Sequence, residues 1–164
     1  MKRVSQTKNQ EKQVEIKEES DSISYVMKKE VFNELTKELE EAEVFHREDG
    51  PAFEFKYASG DTKYESYFTE GKRDRKDGPS TVEYWENGSI KDEQWYSEDN
   101  LHCEGQPAWK EYDEKGTLRV ERWFTNGLLD RTDGPAYLVY DESGALVESI
   151  DYIMGEPGNH FKAK

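Results

Sequence analysis

A single cysteine, Cys103, rules out an internal disulfide, and the lack of cysteine pairs fits a reducing cytoplasm, the compartment expected for this chain. No apolar run approaches the ~20 residues that a membrane span needs. The N-terminus also lacks the apolar segment of a secretory signal, so no membrane partner is expected. Leu, Ile, Val and Phe together fall below the roughly 20% at which a highly charged chain is expected to be disordered. Positive charge is short as well: 23 Lys and Arg face 37 Asp and Glu, a net charge of −14 over 164 residues. Residues 1–43 hold eight Lys/Arg and eleven Asp/Glu, net −3, which leaves −11 for 44–164. Such a surface repels nucleic-acid phosphates and anionic headgroups, so direct nucleic-acid binding is not expected.

What is present is a period. Pro51, Pro79, Pro107 and Pro135 stand 28 residues apart, preceded by Asp49-Gly50, Asp77-Gly78, the blurred Glu104-Gly105-Gln106, and Asp133-Gly134. Gly60, Gly88, Gly116 and Gly144 follow nine residues after each proline, and Gly71, Asp99, Gly127 and Gly155 follow after twenty. A fixed period of this size marks a repeat array. Extended segments (Ala52–Phe55, Ser80–Trp85, Ala108–Tyr112, Ala136–Tyr140) precede the first glycine, and return segments carry Tyr67, Trp95 and Trp123. Each unit therefore reads as a β-hairpin with glycine turns, and each proline marks a connector. One hairpin is marginal alone, so neighbours must share a core, here expected to be thin and aromatic. The chain is 13% aromatic.

The fold class that follows is mainly β: an elongated single antiparallel sheet, a meander of about four 28-residue hairpins, with an N-terminal α-helix. Residues 1–20 read as a solvated tail, 21–43 as an amphipathic helix, 44–158 as the array and 159–164 as a C-terminal tail. Val31, Phe32, Leu35 and Leu39 lie at helical spacing and form the expected helix stripe, which would cover the first repeat or pair two chains as a homodimer.

The run His46-Arg47-Glu48-Asp49-Gly50-Pro51-Ala52 with Tyr57 and Gly60 resembles the variant MORN-type repeats of YwqK-like antitoxin proteins, and similar units occur in phage and giant-virus proteins. Arg131-Thr132-Asp133-Gly134-Pro135-Ala136, with Tyr140, Gly144 and Gly155, carries the same likeness, which spans about 44–158. The resemblance implies an antiparallel sheet of successive hairpins used as an interaction scaffold.

Chemistry-bearing constellations are few. His46 and His102 are equivalent positions two periods apart, with Asp74 and Asp130 between and after them, so they read as polar turn residues. Cys103 has only His102 beside it, and adjacent strand residues face opposite ways, which disfavours a Cys–His pair. No catalytic residue, metal ligand or cofactor site is expected. The rows at fixed phase point instead to a protein-binding scaffold engaging or inhibiting a partner with a basic surface, in an antitoxin-like, immunity-like or phage counter-defence role. Its candidate contact residues are Tyr67, Tyr84, Trp85, Trp95, Trp109, Tyr112, Trp123 and Tyr140, with Glu65, Glu93 and Glu121. A nucleic-acid mimic that blocks a DNA- or RNA-binding protein and a structural or assembly protein are the alternatives.

Overall fold

The computed structural model describes residues 6–7 and 14–164, by backbone alone at 6, 7, 31 and 32. It divides into two compact units, Met1–Lys72 and Arg73–Lys164. Strands make up both, and no helix occurs among the described residues.

The first unit contains β1 (Gln6–Thr7), β2 (Val14–Glu18), β3 (Ser22–Asn33), β4 (Glu38–Phe45), β5 (Phe53–Lys56), β6 (Thr62–Ser66) and β7 (Phe68–Thr69); β8 (Lys72–Arg73) lies at the boundary. Its sheet runs β1-β2-β3-β5-β6, with β4 paired to β3. The second unit contains β9 (Thr81–Tyr84), β10 (Ile90–Gln94), β11 (Tyr96–Ser97), β12 (Asn100–Leu101), β13 (Trp109–Tyr112), β14 (Leu118–Arg122), β15 (Phe124–Thr125), β16 (Leu128–Leu129), β17 (Tyr137–Tyr140), β18 (Leu146–Ile153) and β19 (Glu156–Lys162). There the sheet runs β9-β10-β13-β14-β17-β18-β19, and β11-β12 and β15-β16 form two-stranded ribbons. Each unit is thus an antiparallel meander, as the hairpin repeat requires.

Two kinds of turn generate the period. In the first, Gly60, Gly88, Gly116 and Gly144 donate back to residues 57, 85, 113 and 141, and those residues in turn donate to 61, 89, 117 and 145. The glycines hold φ between 82° and 93°, and the register slips by one residue beside each turn. This is a type I turn closed by a glycine bulge. The second turn has two successive residues at positive φ: Glu70-Gly71, Glu98-Asp99, Asn126-Gly127 and Met154-Gly155. That is the two-residue type I′ hairpin loop. The second residue of each loop donates its N–H to a carbonyl of the preceding copy: Gly71 to Phe45, Asp99 to Arg73, Gly127 to Leu101 and Gly155 to Leu129.

The connector is held by its arginine. In Arg47, Arg75 and Arg131 the Nη1 atom donates to the carbonyl of the proline four residues on, at 3.2, 3.1 and 3.3 Å. Arg47 and Arg131 also bind Asp49 and Asp133 through Nε, which holds both carboxyls below their usual range. The guanidinium lies over the glycine before the proline, where a Cβ at Gly50 would meet Arg47 Cζ at 2.8 Å. The third copy lacks this clip. There the Gln106 amide donates to Cys103 Sγ at 3.3 Å, and Gly105 takes φ 75°.

The expected helix over 21–43 is instead the long ribbon β3–β4, in which Val31 stands opposite Glu40 and Phe32 opposite Leu39. Leu35 lies in the tip and is 95% exposed, and Leu39 is 65% exposed, so neither belongs to a buried stripe. The homodimer expected through that helix loses its element. Side chains at Val31 and Phe32 lie outside the described residues. Within the expected tail, Val14–Glu18 pairs with β3, and residues 1–5 and 8–13 lie outside the described residues. At the other end Asn159–Lys162, also expected as tail, belongs to β19 and pairs with β18.

The ribbon belongs to a further copy of the repeat. Tyr25 N donates to Ala52 O and His46 N to Tyr25 O, as Trp95 N does to Ala108 O and His102 N to Trp95 O. Tyr25 therefore stands where Trp95 and Trp123 stand in later copies. Tyr25 and His46 are 21 residues apart, against seven for Trp95 and His102, so this copy carries a 14-residue insertion. The insertion lengthens the short ribbon that β11–β12 and β15–β16 form elsewhere.

The core is built from small side chains as much as aromatic ones. Ala52, Ser80, Ala108 and Ala136, the residues after the prolines, are all fully buried. Val82 and Leu138 are buried within the sheet, and Val26 and Met27 at the base of the long ribbon. The aromatic rows expected to form the core are half-buried.

Candidate partner-binding faces

Register divides the candidate residues of the second unit between two faces. Glu93 stands opposite both Val82 and Lys110, and Glu121 opposite both Lys110 and Leu138. Residues two apart share a face, which adds Tyr84, Trp95, Tyr112, Trp123 and Tyr140 to this side. The structure therefore brings seven of the expected residues together. Trp109 lies on the other side, opposite Gln94 and Arg122. Trp85 occupies the first turn, and its indole donates to Tyr112 O at 3.1 Å. Glu65 and Tyr67 belong to the first unit, where Glu65 stands opposite Glu54.

On the first face aromatic and acidic rows are bonded to each other. The Tyr112 hydroxyl donates to Glu93 and that of Tyr140 to Glu121, both at 2.8 Å. Burial, then the bonded carboxylate, pushes both phenols up, Tyr140 to about 12. Cations lie over the Trp rings: Lys110 Nζ is 4.7 Å from the Trp95 centroid and Arg131 Cζ 3.8 Å from that of Trp123. Each such stack contributes about 0.5–1 kcal/mol at exposed sites. The Trp123 Nε1 atom is buried without a hydrogen-bond partner. The bulge beside each first turn breaks the strict alternation of faces at Lys91 and Arg119. Lys91 reaches Glu83 at 2.8 Å and the Trp85 ring, while Arg119 Nε donates to Tyr140 O.

The opposite face holds a polar chain that the sequence did not single out. Tyr96 donates to Gln94, Gln94 to Asp92, and the Trp109 indole also donates to Asp92. Asp92 stands between Glu83 and Glu111 on the neighbouring strands. Burial pushes its carboxyl up to about 6, with the Glu111 and Glu83 charges adding to the effect and the Trp109 and Gln94 bonds opposing it. Arg122 offsets part of this acid row by binding Glu111, and it also lies 4.3 Å from the Trp109 centroid.

The histidine slots act as caps. His46 Nδ1 accepts the Glu70 N–H at 3.2 Å, His102 Nδ1 that of Asn126 at 3.4 Å, and the Asp130 carboxylate that of Met154 at 3.0 Å. Each satisfies the first N–H of the next type I′ turn. Among the described residues no group of three or more His, Cys, Asp or Glu could hold a metal ion, and no helix is long and apolar enough to cross a membrane.

Comparison of the chain with protein-family models, curated proteins and solved structures finds no match. The likeness to MORN-type repeats thus rests on the repeated residues themselves.

Proposed function

We propose that this protein is a non-enzymatic scaffold that binds a protein partner with a basic surface and inhibits it or holds it in place. The observation that carries the reading is the repetition of one patch on one face: Glu93, Trp95 and Tyr112, then Glu121, Trp123 and Tyr140 in the next copy. All six are half-buried, so none is fully withdrawn from solvent. Aromatic groups held rigidly among charges are typical anchors of protein interfaces. A net charge of −14 steers a basic partner and raises its rate of encounter. The MORN-type resemblance agrees with the reading, and the antitoxin-like or counter-defence role is the form of it we favour, acting in the cytoplasm.

The test is an affinity measurement on the protein captured from the native cell, with Trp95→Ala and Trp123→Ala made in chains whose folding is verified by thermal melting. Loss of about tenfold in each would match truncation of an interface aromatic. Binding that survives both changes, and a scan of the opposite face at Trp109, removes the proposal. A nucleic-acid mimic is recognised in the same experiment by competition with duplex DNA and a steep fall of affinity with salt.

A further inference from the structure

The tip of the inserted ribbon is the longest exposed run among the described residues of the first unit. Residues 34–41 are all exposed, and Lys28–Asn33 pairs only with Glu38–Glu43 among the described residues. A two-stranded ribbon is marginal in water. Yet this one ends in Leu35 at 95% exposure, with Leu39 at 65% beside the tip. The tip is also ordered by its own polar groups: Asn33 Oδ1 accepts the Leu35 and Thr36 N–H groups, and Lys37 N donates to Asn33 O. An apolar side chain is thus displayed on a shaped loop at the end of an arm that the repeat does not need.

The charge of the arm selects its occupant. Residues 28–43 contain three lysines and six glutamates, net −3. The lysines are engaged internally: Lys28 with Glu41, Lys29 with Glu70 and Lys37 with Glu34. A second copy would bring two such arms and two chains of charge −14 together, which is unfavourable. We propose that the β3–β4 ribbon is a docking arm whose Leu35 and Leu39 pack against an apolar segment flanked by Lys and Arg on a heterologous protein. This inference rests on the scaffold reading and names the element that makes the first anchor.

The test uses the full chain, a Leu35→Ser/Leu39→Ser variant, and a chain in which residues 28–43 are replaced by Asn-Gly. The replacement restores the seven-residue spacing between Tyr25 and His46 found in the other copies, so it should fold. The probe is a displayed library of random twelve-residue peptides selected on the full chain, followed by affinities of the enriched peptides. The expected result is peptides with apolar residues flanked by Lys or Arg, which lose about tenfold or more on either ribbon variant, as removing a buried leucine does. Melting temperatures of the variants should stay near that of the parent. Enriched peptides that bind the ribbon variants unchanged overturn the arm; if they fail on Trp95→Ala or Trp123→Ala, the scaffold reading survives without it. No enrichment, or peptides that are not basic, also overturns the proposal. So does a dimer of the parent chain that the Asn-Gly replacement abolishes, since the occupant is then a second copy.

Discussion

The Tyr112 hydroxyl donates to Glu93 across 2.8 Å, joining the tyrosine row of one repeat to the glutamate row of the repeat before it, and Tyr140 repeats the bond to Glu121. Hydrogen bonds to charged groups contribute about 1.5–3 kcal/mol, and partial exposure places these at the low end. Tyr112→Phe should therefore destabilise the chain by about 1.5 kcal/mol in denaturant melts. Both phenols are held above the ordinary tyrosine value, so the folded state keeps its protons where the unfolded state has lost them. Their contribution is fully present below about pH 10 and falls as pH rises beyond it. In the Tyr112→Phe/Tyr140→Phe chain that alkaline loss should be smaller, as melts between pH 9 and 12 would show.

Asp92 titrates in the opposite sense from a salt-bridged carboxylate. Its folded value of about 6 exceeds the unfolded value near 3.9, so the folded state binds the extra proton between them. Stability contributed at this site therefore rises as pH falls from about 7 toward 4. Asp92→Asn keeps an acceptor for the Trp109 indole and removes the charge. We expect the variant to melt higher than the parent at pH 7 and to lose that advantage by pH 4.5.

Gly50 sits beneath the Arg47 guanidinium at φ outside the left-handed region, so alanine there is opposed by space alone. Gly50→Ala should cost about 1–3 kcal/mol by displacing the clip. In an Arg47→Ala background the same change should cost less than about 0.5 kcal/mol, and a double-mutant cycle measures the difference.

Met154 holds φ 51° ahead of Gly155 in a type I′ turn and is 72% exposed. Met154→Asn supplies the residue this turn prefers while leaving the Met154 N–H bond to Asp130 in place. Stabilisation of about 0.5–1 kcal/mol is expected from the relieved backbone, read as a shift in urea midpoint.

The hairpins were legible because each turn demands a special residue at a fixed phase. Gly88 and Gly116 hold positive φ, and Pro79 and Pro107 stand between ladders. The segment Glu34–Glu43 misled because Glu, Leu, Lys and Ala favour helix and its leucines fall four apart, while its ribbon pairing is set by the strand that begins at Ser22. The signal that could have corrected it is the 21-residue spacing of Tyr25 and His46, seven plus an insertion. Within the site, the face shared by Glu93, Trp95 and Tyr112 followed from alternation, which holds through the middle of each strand. Lys91 and Arg119 lie at the bulges, where alternation fails and a face cannot be read from spacing. The Asp92 chain escaped notice because it joins positions from neighbouring copies that only cross-strand register brings together.

The most direct measurement is carboxylate footprinting of the full chain, free and bound to the protein it captures from its own cell. The scaffold reading predicts that Glu93 and Glu121 become protected together on binding, while Glu83 and Glu111 on the opposite face keep their reactivity. Protection confined to that opposite face, or a bound complex in which neither row is protected, would contradict it.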